Sequence, residues 1–296
     1  MRYPWEGAAI AMDGAAFAAE IKRDLAAQVA TMPLPPTLAT VLVGTDPASQ
    51  KYVAGKHADC KEVGIKSRRI EMDAASSEKE ILDVVNTLNE NPEITGFIVQ
   101  LPLPGHINAA RILEAIDPAK DADGLHPLNL GRLAQSMRGD LTTLLPCTPV
   151  GIIRLGRKYG VNFHGAHVTV VGQGTTVGRP LGLLLTHESV GATVTCCHEY
   201  TTDLGKHVRD ADIIVSATGV PGLITSDIVK PGAVVFDVGV ARETLPSGKS
   251  RIRGDIADGV DKIAGLLTPN PGGVGPMTRV QLLANIMQSA TEERFA

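Results

Sequence analysis

Four side chains in the first half of the chain have the chemistry of a proton-handling site. Tyr52 and Lys56 stand four residues apart in a helix-like stretch and so share one of its faces. Gln100 closes an apolar, β-branched run immediately before Leu101-Pro102-Leu103-Pro104, and Asp123 lies in the loop-like Lys120-Asp121-Ala122-Asp123-Gly124. A lysine in an apolar cleft gives up its proton more readily than one in water and can then act as a base. Taken singly, Lys56 also reads as a solvated helix charge and Asp123 as a turn cap. In open α/β sheets ligands bind beyond the carboxyl ends of the strands, so the four positions gain meaning if the fold gathers them there.

A second constellation follows the strand-like stretch 167–171, where the chain runs into Gly172-Gln173-Gly174-Thr175-Thr176-Val177-Gly178-Arg179-Pro180 and then a helical pattern. Strand, glycine turn and helix in that order bring backbone N–H groups and a helix dipole close to a pyrophosphate. The spacing is GxGxxxG, one residue longer than the common dinucleotide fingerprint, and a ligand-free glycine turn is the bland alternative. The next strand-like run ends at His198, followed by Glu199 and Tyr200. An acid there accepts from a ribose 2′-OH, whereas a 2′-phosphate calls for Arg or Lys. A carboxylate about 4 Å from that phosphate costs several kcal/mol at an effective dielectric of roughly 20. The pocket therefore leans towards NAD, unless Glu199 simply points to solvent.

Short β-branched runs alternating with longer helical patterns must position these groups, which implies βαβ units and parallel sheets. Strands are expected at 38–43, 66–72 and 96–101, with helices at 49–64 and 77–91 between them. A second series is expected at 167–171, 193–197, 212–216 and 233–238. The Pro-rich stretch 141–149 reads as a passage between domains, and 268–276, TPNPGGVGP, as a loop. Residues 277–295 have a helical pattern and are expected to pack back onto the first domain.

The chain has 296 residues, enough for two domains. Its net charge of −4 and 3% aromatic content argue against a nucleic-acid partner, which needs basic patches or stacking platforms. Cys60, Cys147, Cys196 and Cys197 form neither a disulfide framework nor a metal knuckle, and Cys196 and Cys197 are expected to act as small hydrophobes. His57, beside Lys56, is expected to be exposed rather than catalytic. No metal-ligand spacing, nucleophile elbow or Walker loop occurs, so no metal is expected. The N-terminal residues do not read as a signal peptide, no uncharged apolar run reaches membrane-spanning length, and a cytoplasmic location is expected.

YVAGK at 52–56, GFIVQLPLP at 96–104, KDADG at 120–124, PCTP at 146–149 and PGGVGPMT at 271–278 occur in an order and spacing that resembles one family. It is the bifunctional methylenetetrahydrofolate dehydrogenase/methenyltetrahydrofolate cyclohydrolases, and the likeness runs from about Met12 to the C-terminal helix. The resemblance implies an α/β protein of two domains with a cleft between them. Residues 1–148, completed by helix 277–296, would form an open α/β folate-binding catalytic domain. Residues 149–276 would form a Rossmann-like dinucleotide-binding domain, with no formyltetrahydrofolate synthetase domain attached.

The implied reaction oxidises 5,10-methylenetetrahydrofolate by hydride transfer to NAD(P)+ and hydrolyses the methenyl product to 10-formyltetrahydrofolate. By the same resemblance Lys56 is the catalytic lysine, Gln100 orients it, and Tyr52 packs on the aminobenzoate. Asp123 would accept from the pterin, Pro271, Gly272 and Gly273 would line the cleft, and Gly172, Gln173, Gly174 and Val240 would hold the dinucleotide beside Glu199. The family forms homodimers and uses NADP by default. Here Gln173 and the Glu199-Tyr200 pair replace residues that could meet a 2′-phosphate, which favours NAD, with Arg179 or Arg242 as possible rescuers. The alternatives are a dehydrogenase-only member, a shikimate-type two-domain dehydrogenase, and a dinucleotide sensor without catalysis.

Overall fold

The computed structural model describes residues 5–244 and 250–291. The N-terminal reading of residues 1–4 and the last positions of the expected C-terminal helix, 292–296, lie outside them. In chain order the elements are β1 (Ile10–Ala11), α1 (Gly14–Ala30), β2 (Thr37–Val43), α2 (Pro47–Val63), β3 (Lys66–Met72), α3 (Glu78–Glu90) and β4 (Gly96–Val99). Next come α4 (Ala109–Glu114), α5 (Pro127–Gln135), α6 (Cys147–Lys158), β5 (His167–Val171), α7 (Gly178–Thr186) and β6 (Thr193–Cys197). The chain continues with α8 (Leu204–Arg209), β7 (Ile213–Ser216), β8 (Val234–Asp237), β9 (Ala241–Thr244), β10 (Ser250–Arg253), β11 (Leu266–Leu267) and α9 (Val274–Thr291). They form two compact α/β units, each containing a parallel sheet. No helix among the described residues is long and apolar enough to cross a membrane.

One unit holds Ala19–Leu133, Thr142–Cys147 and the chain from Arg279 onward. Its sheet has the order β3-β2-β4, all parallel, with Leu38 paired to Ser67 on one side and Gly96 on the other. Central β2 (TLATVLV) is buried almost throughout, as a strand covered on both faces must be. Edge strand β3 carries Lys66, Arg68, Arg69 and Glu71, charges that discourage further pairing. Asp46 caps α2 by accepting the Ser49 N–H at 2.7 Å, Pro47 opens the helix, and Gly64 ends it at φ 84°. Ser77 and Glu80 close a capping box on α3, which packs Ile81, Val85 and Leu88 against the sheet.

The other unit holds the chain up to Ala18, Ala134–Leu141 and Thr148–Thr278. Its sheet runs β1-β11-β8-β7-β5-β6, all parallel, a Rossmann-like arrangement. From β5 the chain crosses to β6 on one side and then returns to β7 on the other. A topological switch point therefore lies at the carboxyl end of β5, where the glycine turn begins. Strands β9 and β10 pair antiparallel.

Several expectations need correction. The chain does pass between the units within 141–149, after Leu141 and after Cys147, but residues 147–149 are already the first turn of α6, and residues 274–276 are the first turn of α9. Pro149 and Pro276 are tolerated there because first-turn N–H groups have no intrahelical acceptor. Strand 96–101 ends at Val99, although the Gln100 N–H still bonds the Val41 carbonyl at 2.8 Å. Cys197 is buried but Cys196 is exposed, because β6 is an edge strand whose side chains alternate between faces. His57 is half-buried, its Nε2 2.8 Å from the Thr40 hydroxyl, and burial followed by the Arg69 and Lys56 charges pulls its pKa down.

Candidate active site

Helix α2 puts Tyr52 and Lys56 on one face, with the lysine 3% exposed. Its Nζ lies 4.8 Å from the centre of the Tyr52 ring and donates to Gln100 Oε1 at 3.3 Å. The other end of the Gln100 amide donates from Nε2 to the Leu101 carbonyl at 2.7 Å, which turns Oε1 towards the lysine. The ammonium thus faces an aromatic ring and a neutral amide oxygen, partners that hold it in place without adding a negative charge.

Asp123 is set by backbone stitched on both sides. Residues 120–122 extend the sheet beside β4: the Phe97 N–H donates to the Lys120 carbonyl at 2.8 Å and the Ala122 N–H to that of Phe97 at 3.3 Å. Buried Lys120 donates to the carbonyls of Leu88, Asn89 and Asn91 at the C-terminal end of α3, where the helix dipole favours a cation. Buried Asp121 accepts from the His126 N–H at 2.7 Å and from Asn129 Nδ2 at 3.0 Å; burial raises its pKa and these bonds oppose the rise.

Cys147, which the sequence offered no reason to place here, donates its N–H to the Asp123 carbonyl at 3.2 Å. Burial pushes its thiol pKa well up, the Asp123 carboxylate adds to that, and the Lys56 ammonium opposes it. The Asp123 and Lys56 charges thus both act on this one thiol, while Tyr52 and Gln100 are joined to the site through Lys56.

In the other unit, Gly172 follows β5 at φ 97°, in the left-handed region, and a Cβ on it would collide with the Ala217 carbonyl. A Cβ on Gly178, the first residue of α7, would overlap the Gly172 carbonyl oxygen. The outer glycines therefore serve the turn itself. Gly174 is different: it is exposed, and a Cβ there would meet nothing within 4 Å, which leaves open space over the turn. Val177, at the N-cap of α7, makes no side-chain cap bond. This combination fits a dinucleotide phosphate.

The Gln173 amide turns back on the sheet, donating to the Val170 carbonyl at 3.3 Å and bonding the Cys196 sulfur. Glu199 is exposed in the turn after β6, between His198 and Tyr200, whose rings meet edge-to-face at 5.8 Å. Arg179 and Arg242 are exposed as well. Val240 is exposed just beyond β8, where the Val238 and Gly239 N–H groups bond the Ser216 carbonyl. Gly272 has φ 112° and accepts from the Ala15 N–H at 2.9 Å, while a Cβ on Gly273 would press on Pro269 and Thr268. The closest approach these two glycines permit is to their own chain.

Sequence reasoning also missed a buried acid pair beneath these strand ends. Asp255, with 0% exposure, accepts at one oxygen from the Ser216 hydroxyl and from the N–H and hydroxyl of Thr218. Asp237 accepts the Asp255 N–H at 2.8 Å, and burial pushes its carboxyl pKa up to about 7. Gly239 and Gly254 lie against these carboxylates, where any Cβ would overlap them.

Residues 12–123 match the catalytic domain of the tetrahydrofolate dehydrogenase/cyclohydrolases, and residues 146–294 match their NAD(P)-binding domain. The chain belongs to this family. It is similar to the bifunctional enzyme FolD of Campylobacter jejuni, at 41% identity and a TM-score of 0.89 over 96% of this chain and 99% of that one. It is also similar to FolD of Trypanosoma brucei, a structure complexed with NADP cofactor and inhibitor, at 36% identity and a TM-score of 0.91 over 97% and 99% of the two chains. The NAD-dependent methylenetetrahydrofolate dehydrogenase of Saccharomyces cerevisiae, 20% identical with a TM-score of 0.75 over 96% and 97%, shares the fold. These findings favour the bifunctional reading over the dehydrogenase-only, shikimate-type and sensor alternatives.

Proposed function

We propose that this chain carries out both reactions of its family with the residues just described. The activity is that of a methylenetetrahydrofolate dehydrogenase and methenyltetrahydrofolate cyclohydrolase using a nicotinamide cofactor. The unit around β2–β4 takes the folate, and the unit around β5–β8 takes the dinucleotide. The observation that carries this assignment is the buried Lys56 held between Tyr52 and Gln100 in the part of the chain matched to the catalytic domain.

Tyr52 presents an aromatic face to the aminobenzoate, and the Asp123 carboxylate accepts from the amino and ring N–H groups of the pterin. Gly172, Gln173, Gly174, Glu199 and Val240 hold the dinucleotide, whose nicotinamide accepts a hydride when bound. Pro271, Gly272 and Gly273 belong to the proposed substrate-binding set. The oxidation asks the chain mainly to position its ligands, because the folate nitrogens stabilise the cation left behind. Hydrolysis asks more: Lys56 manages the proton of the attacking water at Nζ, while Gln100 fixes where Nζ points.

Glu199, exposed beside the adenosine end of a Rossmann turn, supports a preference for NAD over NADP, since it repels a 2′-phosphate and Gln173 is turned away to the sheet. The chain is proposed to act as a cytoplasmic homodimer. The test is to mix the protein with 5,10-methylenetetrahydrofolate and either NAD or NADP, following reduced nicotinamide and methenyltetrahydrofolate together. Reduction without methenyl accumulation, faster with NAD, is the expected result. Accumulating methenyltetrahydrofolate would remove the Lys56 assignment, and a strong NADP preference would remove the cofactor assignment.

A further inference from the structure

We infer that Asn285, near the C-terminal end of the chain, is a positioning residue for folate binding that acts through Asp123. The inference rests on the folate-binding role proposed above for Asp123. Asn285 lies on α9 and is 1% exposed. One turn earlier Gln281 donates from Nε2 to Asn285 Oδ1 at 2.9 Å, which fixes the orientation of the amide. The Nδ2 group then donates to the carbonyls of Ala122 and Leu145, each at 2.9 Å, with the Cys147 sulfur at 3.5 Å. An amide nitrogen has two hydrogens, and two carbonyls from distant parts of the chain share them.

Those carbonyls flank Asp123 on either side of a seam. Ala122 immediately precedes it. Gly124, which follows at φ 71°, lies so close to Leu145 that a Cβ there would overlap the Leu145 carbonyl. The Asp123 carbonyl takes the Cys147 N–H, and the Cys147 thiol donates to the Ala122 carbonyl at 3.4 Å. Segments 121–124 and 145–147 thus form one seam with Asp123 on it, and Asn285 is the side-chain clasp. Without it, the Ala122 carbonyl keeps only the weak Cys147 thiol donor and the half-buried Leu145 carbonyl loses its amide donor, so the seam shifts to recover a partner. The carboxylate moves with its backbone, and a displacement of about 1 Å is enough to spoil substrate alignment.

The test uses the full chain and four variants: Asn285→Leu, which keeps the volume but removes both donors, Gln281→Leu, Asp123→Ala, and Asn285→Leu combined with Asp123→Ala. Asn285→Leu is expected to raise KM for methylenetetrahydrofolate about fivefold or more, with kcat within about threefold and the dinucleotide Kd unchanged. In the Asp123→Ala background the same change is expected to add less than about twofold, because both substitutions remove one interaction. A loss of packing alone would multiply with the loss of Asp123. If Asn285→Leu fails to fold, Gln281→Leu is expected to show a smaller KM rise that likewise disappears without Asp123. An unchanged KM in the folded variant, or a rise that persists without Asp123, overturns the inference. If Asp123→Ala leaves KM unchanged, the Asp123 assignment itself falls and this inference with it. If Asp123→Ala raises KM and the folded clasp variant does not, the inference alone falls.

Discussion

The Lys56 ammonium and the Gln100 amide oxygen lie 3.3 Å apart, and the amide cannot turn over without giving up its bond to the Leu101 carbonyl. A neutral acceptor holds the lysine without stabilising its charge as a carboxylate would. Gln100→Glu should therefore turn that neutral contact into an ion pair and lower hydrolysis of methenyltetrahydrofolate by about tenfold or more. Lys56→Met should lower hydrolysis of methenyltetrahydrofolate by about 100-fold or more and leave dinucleotide binding intact. Rates of methenyltetrahydrofolate hydrolysis, with a dinucleotide titration alongside, check both.

Asp123→Ala should raise KM for the folate about tenfold or more, as expected for a lost charge-assisted bond, and leave the dinucleotide Kd unchanged. Steady-state kinetics with saturating dinucleotide provide the check, and unaltered folate affinity would count against the assignment.

Glu199→Ser removes a negative charge from the turn after β6. The ratio of kcat/KM for NADP to that for NAD should rise about tenfold or more, mostly through KM for NADP. Raising the ionic strength should narrow the difference between variant and parent, since Glu199 is exposed and its field is screened. A strong NADP preference unchanged by the substitution would show that Arg179 or Arg242 sets the choice.

The glycines of the turn separate by substitution. Gly178→Ala drives a methyl group into the Gly172 carbonyl and should cost about 1–3 kcal/mol of stability. Gly174→Ala enters open space and should change stability by less than about 1 kcal/mol while weakening the dinucleotide, whose backbone contacts it crowds. Thermal unfolding with and without dinucleotide distinguishes the two.

Asp237 gives a pH signature of unusual sign. Its carboxyl titrates at about 7 in the folded chain, against about 4 when unfolded. Between those values the folded state holds the extra proton. The contribution is thus complete below about pH 4 and is lost as pH rises to about 7, at up to about 1.4 kcal/mol per pH unit. Asp237→Asn should remove this slope. Denaturant midpoints of variant and parent compared from pH 4.5 to 8 test it, and parallel curves would refute it.

Local signals were the legible ones. The four-residue spacing of Tyr52 and Lys56 follows from helix period, and the turn from β5 into α7 follows from glycines at a strand end. The sheet order around β5 then explains why a ligand belongs there. What stayed hidden depends on partners far apart in the chain. Asn285 acts on residues about 140 and 163 positions away, and Asp237 and Asp255 meet across the β9–β10 hairpin. The prolines at 149 and 276 mislead for a different reason: proline breaks a helix interior, but each of these occupies a first helical turn, where it breaks nothing. Cys196 looked apolar in the sequence and is exposed because its strand is the last in the sheet.

The polypeptide passes between the units several times rather than through one linker, and two of the crossings fall inside helices: α1 begins in one unit and ends in the other, and α9 does the same in reverse. Neither unit corresponds to one uninterrupted stretch of gene. A fragment stopping at Cys147 would carry Tyr52, Lys56, Gln100 and Asp123 yet lack Ile286, which packs on Gly96, and Asn285 with it. The lysine unit is therefore complete only once α9 has been made, long after its four site residues have left the ribosome.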